Sequence, residues 1–470
     1  MNTRMKNLKK ADKEVITAKE TSTPTGKKDS RKIPTDNPVT YPTDFPQHES
    51  RLNTNAVGQR ATRPDGRLHG LGQTQYIDDL SFTHMIHAKI LRSEHSYAKI
   101  ISVDTSEAEA MPGVFATLTG KEIPLNSFGP TLQDQPVLAD TIVRHRGDGV
   151  AAVAAISEQV AADALAKIKV KYEPMTPVYD VVEAFGDKSP RIHGGDTNVY
   201  AHKVIKKGDV EKAFKECDHI FEEQFKTQMV EHVPIEPHAS IASWDANGRV
   251  SIWSSLGRVT LGRQDIARTL GLSQAKIRLI GTPVGGNFGG KNEITNEPIL
   301  ALLSRKTGRP VKAVYTRADE FVSSTIRHPF IMDYKTGVMN DGTIVARKVN
   351  LLLDGGAYCS WTSTTMGKGS ILAAGPYNIP NIHVEAHAVY TNKTVTGAMR
   401  GFGAPQVCFA YESQMDTIAE KLGMDSLEIR LKNAFSNGSA SPTSQKLETV
   451  VVKESLKQAS ERFGWQEWKA

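Results

Sequence analysis

The sequence predicts an α+β protein, or alternatively an α/β protein, in which two globular units follow a polar N-terminal segment. Apolar runs of strand length alternate with amphipathic stretches of helix length over most of the chain. A chain of 470 residues exceeds the size at which one hydrophobic core normally stops growing, so more than one unit is expected. No repeat of about 20 to 50 residues recurs, which excludes a solenoid.

The first predicted segment, residues 1–55, is a basic tail. It is rich in Lys, Thr, Pro and Asn and has few apolar residues to bury, so we expect it to be flexible. The tail contributes much of the formal net charge of +6, and the rest of the chain is close to balanced. Charge therefore gives no support for nucleic-acid binding.

Cysteine usage and hydropathy exclude several further classes. Cys217, Cys359 and Cys408 lie far apart, which argues against a disulfide framework, a structural zinc site or an iron–sulfur cluster bound by this chain. No run reaches the roughly 18 apolar residues of a membrane span. The basic N-terminus is not followed by the apolar segment of a secretory signal, so we expect a cytoplasmic protein.

The first globular unit is predicted over residues 56–183. Strands are expected at residues 85–91, 113–118, 149–156 and 166–172. Helices are expected at residues 106–111 and 157–167. Ser157 precedes Glu158 and Gln159, a pattern typical of a helix N-cap. Residues 184–201 are rich in Gly, Pro and Asp and form the predicted linker.

The second globular unit is predicted over residues 202–470. Strands are expected at residues 220–225, 249–253, 276–280, 332–337 and 345–353. Helical segments are expected at residues 258–270 and 409–433. Gly271 suits the end of the first of these helices, and Asp425 suits the start of a further helix.

Two glycine-rich turns stand out in the second unit. Residues 285–291 read Gly-Gly-Asn-Phe-Gly-Gly-Lys, and residues 399–406 read Met-Arg-Gly-Phe-Gly-Ala-Pro-Gln. Glycines let a backbone approach a ligand closely and point N–H groups at it. Because each turn carries a Phe between glycines and a nearby cation, the pair predicts the walls of a pocket for a planar, anionic ligand.

Two other motifs in the second unit are disfavoured as functional sites. Residues 285–291 satisfy the P-loop spacing, but Asn292 replaces the Ser or Thr that ligates Mg²⁺, so a nucleotide hydrolase is disfavoured. A tight turn that packs a helix on a sheet explains the segment better. His232 and His238 flank two prolines, which forbid the helix of a typical zinc motif, so no metal ligation by side chains is predicted.

The second turn, in its context, resembles a known family. Residues 398–406, followed by Glu412 and residues 431–433, resemble the molybdenum hydroxylases, the family of xanthine dehydrogenase and aldehyde oxidase. Short motifs within residues 63–66, 91–95, 111–114 and 172–174 resemble the family's a/b hammerhead domain. Residues 235–238 and the Phe288 turn resemble the start of its molybdopterin-binding domain. The resemblance implies a hammerhead domain followed by the first half of a molybdopterin-binding domain.

The resemblance also implies which residues bind the cofactor. Gly286, Phe288 and Gly289 match the turn that faces the molybdenum centre. Arg400, Gly401 and Gly403, with Phe402 between the glycines, match the turn whose backbone N–H groups border the metal, so Arg400 is also an expected cofactor-binding residue. The cofactor implied is molybdopterin with molybdenum, as a cytosine dinucleotide.

Five residues are implied to act on the substrate. Arg400, beside the metal, and Lys368, where xanthine-oxidising members place an Arg, are the expected catalytic residues. Phe402 is expected to pack on the substrate ring together with Phe288, and Asn292 stands where xanthine enzymes have a substrate-binding Glu. The implied reaction is hydroxylation of an electron-poor carbon, with water as the oxygen source.

Besides Asn292 and the Lys in place of Arg, two further departures from the family shape the expected function. Leu256-Gly257 occurs where the family commonly has Thr-Gln, whose Gln bonds the molybdenum oxo ligand. The chain ends at Ala470, before the half of the domain that carries the general-base Glu. This layout resembles the split molybdopterin subunits of nicotinate dehydrogenase, and truncation is the competing explanation.

The resulting hypothesis is the molybdopterin-binding subunit of a xanthine- or nicotinate-type dehydrogenase that hydroxylates an N-heteroaromatic substrate. Its expected partners are a second molybdopterin subunit with the catalytic Glu, an iron–sulfur subunit with 2Fe-2S clusters, and an FAD subunit. An aldehyde oxidoreductase subunit and a non-catalytic scaffold of the same fold are the alternatives.

Overall fold

The computed structural model describes residues 62–469 of the chain. Residues 62–71 belong to one compact unit, in which helix α1 spans Gly66–Gly70, and residues 72–469 form a second unit. The predicted basic tail, residues 1–55, lies outside the described residues. Everything below concerns the second unit.

Fifteen strands are present in the described part of this unit. They are β1 (Ile86–Arg92), β2 (Ala98–Asp104), β3 (Val114–Thr119), β4 (Ile142–Val143), β5 (Gly149–Ala155), β6 (Lys169–Pro174), β7 (Val199–Lys207), β8 (His219–Lys226), β9 (Ala239–Trp244), β10 (Val250–Ser254), β11 (Ile277–Gly281), β12 (Val311–Val314), β13 (Phe330–Val338), β14 (Ile344–Gly356) and β15 (Asn381–Tyr390).

Twelve α-helices accompany the strands in the same residues. They are α2 (Ser106–Glu109), α3 (Glu158–Leu165), α4 (Val181–Phe185), α5 (Val210–Glu216), α6 (Val259–Thr269), α7 (Glu297–Thr307), α8 (Arg317–Ser323), α9 (Thr362–Leu372), α10 (Ala404–Leu422), α11 (Ser426–Asn433), α12 (Val452–Phe463) and α13 (Trp465–Lys469). No helix among residues 62–469 combines the length and the apolar composition needed to cross a membrane.

The largest sheet has seven strands in the order β11-β10-β9-β12-β1-β5-β3. Strand β1 of the first predicted unit pairs in parallel with β12 of the second, with Ile86 opposite Val311. One sheet therefore runs through both predicted units. Helix α7 packs on this sheet and is buried along most of its length, with Ile299, Leu300 and Leu303 in the core.

A second sheet has five strands in the order β7-β15-β14-β13-β8. It contains the strands of the second predicted unit that do not belong to the seven-stranded sheet. Its inner face is apolar because alternate residues, such as Ile205, Val384 and Ala386, pack in one cluster with residues of α9 and α10. Its outer face is more polar and partly exposed. A third sheet, β4-β2-β6, lies within residues 56–183, the first unit predicted from the sequence.

Local sequence predictions of helix ends are confirmed in detail. The Ser157 hydroxyl accepts a hydrogen bond from Val160 N at the start of α3, and the Asp425 carboxylate accepts bonds from Leu427 N and Glu428 N at the start of α11. Gly271, just after α6, has a φ of +64°.

Several predicted boundaries differ from the observed ones; for example, the helix expected from residue 409 begins at Ala404. The strand expected from residue 166 begins only at Lys169, because Lys167 N and Ile168 N still donate to carbonyls at the end of α3. The linker expected over residues 184–201 overlaps the end of α4 and the start of β7.

A buried carboxylate ties the two predicted units together. Asp148 accepts hydrogen bonds from Tyr358 Oη at 2.9 Å and from Arg144 N at 2.7 Å, and His145 Nε2 lies 2.9 Å from its other oxygen. Although burial opposes ionisation, the His145 charge and these donors hold the pKa of Asp148 below its usual value. The carboxylate is therefore charged and fully partnered in the core.

Candidate active site

The two glycine-rich turns, far apart in sequence, meet in the structure. The first follows β11, and the second leads into α10 at Ala404. Arg400 N donates a hydrogen bond to Phe288 O at 2.8 Å, so the turns are joined backbone to backbone. The buried His232 supports the junction through its Nε2, which lies 2.8 Å from Ala398 O.

Glycine is required at this junction for steric reasons. Gly289 has a φ of +108°, and a Cβ there would collide with Ala398 O. Gly403 has a φ of +91°, and a Cβ there would lie 2.6 Å from Thr365 O in α9. Phe288 and Phe402 also adopt left-handed conformations, with φ of 50° and 56°. Each such residue costs on the order of 1–3 kcal/mol, and strain of this kind concentrates at functional sites.

A pocket of about 290 Å³ opens where the turns meet. Its lining residues are Arg258, Phe288, Gly289, Asn292, Trp361, Ala398, Met399, Arg400, Gly401 and Phe402. Phe288 is 47% exposed in this chain, a high value for a large apolar side chain. No residue of this lining, all within residues 62–469, is a His, Asp, Glu or Cys.

One wall of the pocket is built from planar groups in contact with one another. The Trp361 ring meets Phe402 edge to face, with centroids 6.3 Å apart. The Arg258 guanidinium lies over the Trp361 ring, 4.5 Å from its centroid. The arrangement places a cation beside an aromatic wall, which suits a flat ligand with negative charge.

The structure brings most of the predicted site residues together. Phe288, Gly289, Asn292 and Arg400 line the pocket with Gly401 and Phe402 from the second turn. Gly286, with a φ of +104°, and Gly403 shape the turns from outside the lining.

Lys368 is the exception among the predicted site residues. It lies exposed on α9 and is not part of the pocket lining. It is seven residues after Trp361, which places it about 10 Å further along the helix axis. Its predicted role as the substrate anchor remains a sequence prediction, and the cation that lines the pocket besides Arg400 is Arg258.

Arg258 and Trp361 were missed as site residues because nothing in their local sequence marks them. Arg258 precedes α6, and Trp361 precedes α9. Their contact depends on how two separate helices are placed by the fold, which no short motif records.

The sequence predicts that backbone N–H groups of the two turns point at a ligand, but several of them donate hydrogen bonds within the protein. Asn287 Oδ1 accepts hydrogen bonds from Gly289 N and Lys291 N. Arg400 N, in the second turn, donates to Phe288 O rather than toward a ligand. In the part of the chain that the structure describes, Gly286 N and Gly401 N have no protein acceptor, and of these two glycines Gly401 lines the pocket.

The lysine of the P-loop-like segment faces a carboxylate. Lys291 Nζ, fully buried, lies 2.8 Å from Glu236 Oε2, which also accepts a bond from Gly285 N. Burial lowers the pKa of Lys291, and the Glu236 partner opposes the shift. The ion pair and the Gly285 N bond connect the first turn to Glu236. Lys291 therefore pairs with a carboxylate of the protein, and not with a phosphate.

Gly257 lies close to the first turn. Its N–H donates to Lys291 O at 2.7 Å, and a Cβ at this position would collide with Asn287 Nδ2. Asn287 Nδ2 in turn lies 3.5 Å from Oδ1 of the pocket residue Asn292. The Asn287 carboxamide thus occupies the space into which a longer side chain at position 257 would extend.

A buried acid lies directly behind the pocket. Glu293, next to Asn292, accepts a hydrogen bond from Ser360 Oγ, and its Oε2 has no protein partner among the described residues. Burial raises the pKa of Glu293 to about 7, although the Ser360 hydroxyl partly opposes the shift. The side chain is therefore partly protonated near neutral pH.

Two family models match the chain. The model described as "Molybdopterin cofactor-binding domain" matches residues 192–434. The model described as "Aldehyde oxidase and xanthine dehydrogenase, a/b hammerhead domain" matches residues 71–176. Both domain types predicted from the sequence are confirmed.

Relatives among known proteins agree with the models. The nicotinate dehydrogenase large molybdopterin subunit of Eubacterium barkeri is 37% identical over 408 residues, which cover 86% of this chain and 96% of that protein. The xanthine dehydrogenase molybdenum-binding subunit of Escherichia coli is 31% identical over 421 residues, which cover 87% of this chain and 56% of that protein.

Solved structures show the same fold. The aldehyde oxidoreductase from Desulfovibrio gigas superposes with a TM-score of 0.83 at 33% identity, over 87% of this chain and 46% of that one. The chain thus spans nearly all of one relative and about half the length of the two others.

The raised pKa of Glu293 predicts a pH-dependent stability. Because the folded pKa, about 7, lies above the unfolded value of about 4.3, the native state binds the extra proton between these values. The free energy of unfolding should therefore fall as pH rises from about 4.5 to 7, by on the order of 3 kcal/mol from this group. Urea unfolding at a series of pH values across this range measures the free energy of unfolding.

The variant Glu293→Gln should remove this component and flatten the profile. Glu454→Gln, at an exposed position on α12, is the matched control and should keep the wild-type slope. Equal slopes in wild type and Glu293→Gln would contradict the prediction.

Proposed function

This chain belongs to the molybdenum hydroxylase family of xanthine dehydrogenase and aldehyde oxidase, and we propose that it is the molybdopterin-binding subunit of a multi-subunit hydroxylase. The proposed substrate is an N-heteroaromatic compound, and water supplies the oxygen. The observation that carries the proposal is the junction of the two turns, which forms an aromatic pocket at the hydrogen bond from Arg400 N to Phe288 O.

The pocket fits a molybdenum–pterin group. Gly286 N and Gly401 N are free donors for the anionic oxygen or sulfur atoms of such a group. The lining offers no His, Cys or carboxylate, which fits a metal that obtains its ligands from the pterin. When bound, the group supplies two-electron redox chemistry at the substrate carbon. We propose the cytosine dinucleotide form.

The contribution of this chain is orientation and electrostatics. Phe288 and Phe402 hold a flat ring between them, which restricts its orientation at the reacting carbon. Arg258 and Arg400 place positive charge at the pocket and stabilise negative charge that develops on the substrate. A carboxylate on the heteroaromatic ring would pair with the Arg258 guanidinium, so an anionic substrate such as nicotinate is favoured.

The same lining explains why partner subunits are proposed. Hydroxylation requires a general base, and no lining residue of the described chain can act as one. Cys217, Cys359 and Cys408 are free, so within residues 62–469 no cysteine cluster offers a route for electrons. We therefore propose a second molybdopterin subunit with a catalytic Glu, a 2Fe-2S subunit and an FAD subunit, assembled in the cytoplasm.

Asn287 is the proposed replacement for the Gln that the family has at position 257. Its carboxamide occupies the space beside Gly257, and its Nδ2 reaches toward the pocket residue Asn292. An amide N–H can thus be offered to the cofactor from a different point of the backbone. This exchange would keep the donor that a Gln supplies in other members.

Metal and subunit content test the proposed function. Mild purification from the native host should give about one molybdenum per copy of this chain, together with a second pterin subunit and an iron–sulfur subunit. Measurement is by mass spectrometry of metals and of co-purifying chains. A metal-free chain that purifies alone would contradict the proposal and favour the scaffold alternative.

Paired variants in the assembled enzyme test the substrate anchor. Arg258→Met keeps apolar contact with Trp361 but removes the charge, so KM for an anionic heteroaromatic substrate should rise about tenfold or more. A neutral aldehyde should be less affected. Lys368→Met, outside the lining, is the control and should change KM less than about twofold. The reverse order would make Lys368 the anchor.

The role of Asn287 is tested by Asn287→Asp. This change keeps the Oδ1 acceptor for Gly289 N and Lys291 N but removes the amide donor. Loss of a donor to a reacting centre should lower kcat by at least about tenfold, with steady-state molybdenum content measured in parallel. Asn247→Asp, in an exposed turn, is the control. Wild-type kcat and metal content in Asn287→Asp would refute the exchange.

A further inference from the structure

Three metal-binding side chains meet on the outer face of the five-stranded sheet, away from the pocket. Strands β7 and β15 pair antiparallel, and this register places His202 directly opposite His387. Glu385 is two residues before His387, so both side chains point to the same face of β15. The residues between them, such as Ala386, belong to the inner core with α9 and α10.

The distances suit a single metal ion. His202 Nε2 lies 3.3 Å from Glu385 Oε1, and His387 Nε2 lies 3.9 Å from the same oxygen. One ligand atom from each residue falls within 4.8 Å of the other two. Ligands of a tetrahedral zinc ion at about 2.0–2.1 Å are about 3.3 Å apart, so small side-chain rotations would complete the geometry.

The backbone and the neighbouring rings hold this arrangement in place. The His202 and His387 rings are stacked, with centroids 4.4 Å apart and planes at 12°. Phe185 of α4 packs edge to face on His387 at 5.1 Å, which limits the freedom of that ring. Glu385 and His387 are only 20% and 25% exposed, while His202 is 48% exposed, so an ion could enter from the His202 side.

We propose that His202, Glu385 and His387 form a binding site for a divalent transition metal, with Zn²⁺ as the expected ion. Two imidazoles and one carboxylate are a donor set that Zn²⁺, Ni²⁺ and Cu²⁺ accept, and a fourth position stays open to water. The site is separate from the pocket, because α9 and α10 pack on the opposite face of the sheet.

The bound ion would fasten a sheet edge. β7 is a terminal strand of the five-stranded sheet, and the ion would connect its His202 to two side chains of the more central β15. Because an ion that binds only the folded state stabilises it by mass action, zinc should raise the thermal unfolding temperature of the chain. This inference does not depend on the proposed function.

The test is titration of the full-length chain, without an added histidine tag and after treatment with a chelator, with ZnCl₂ in a calorimeter. We expect one saturable zinc per chain and a rise in Tm on zinc addition. His202→Ala and Glu385→Gln should each weaken binding by about 10- to 100-fold and abolish most of the Tm rise.

His383→Ala is the matched control, because His383 lies on the same face of β15, two residues before Glu385, and outside the three-residue cluster. It should bind zinc as the wild type does. With Cu²⁺ as a second probe, electron paramagnetic resonance should show coupling to two imidazole nitrogens, reduced to one in His202→Ala. No saturable zinc binding, or equal binding by His202→Ala and wild type, would overturn the proposal.

Discussion

The hydrogen bond from Arg400 N to Phe288 O is the interaction on which the rest of the site depends. It can form only if two backbone turns approach within contact distance, and Gly289 lacks the side chain that would collide there with Ala398 O. Gly403 in turn lets the second turn lie against Thr365 O of α9. Phe288 and Phe402 adopt strained left-handed conformations at this junction, and both line the pocket.

The surrounding fold positions this junction. Strand β11 delivers the first turn at the edge of the seven-stranded sheet, and α10 begins immediately after the second. The same sheet continues through β12 into β1 and β5, so the first predicted unit is built onto the pocket-bearing unit rather than linked by a flexible segment. The buried contact of Asp148 with Tyr358 adds a second connection between the two parts.

Much of the fold was predictable because its causes are local. Helix caps such as Ser157 and Asp425, the alternation within strands and the two glycine turns are properties of a few neighbouring residues. The continuity of the sheet across the predicted units was not predictable, since strand order depends on contacts between distant segments. For the same reason the cluster of His202 with Glu385 and His387 becomes visible only once β7 and β15 are paired.

In the candidate site, too, features set by neighbouring residues were predictable from the sequence and contacts between distant segments were not. The turn residues and their glycines were identified from the sequence, and the structure places most of them around one pocket. Arg258 was missed because its place at the pocket depends on how the following helix is positioned and on what packs nearby. The role predicted for Lys368 stays a prediction. Asn287 was read only as part of a turn, although its carboxamide fills the space beside Gly257.

A cryo-electron microscopy structure of the assembly isolated with its cofactor would test the proposed site most directly. We expect density for the metal group against Gly286 N and Gly401 N, with the substrate side of the group facing Phe288 and Phe402. A metal group bound elsewhere, or two turns that separate in the assembled enzyme, would contradict it.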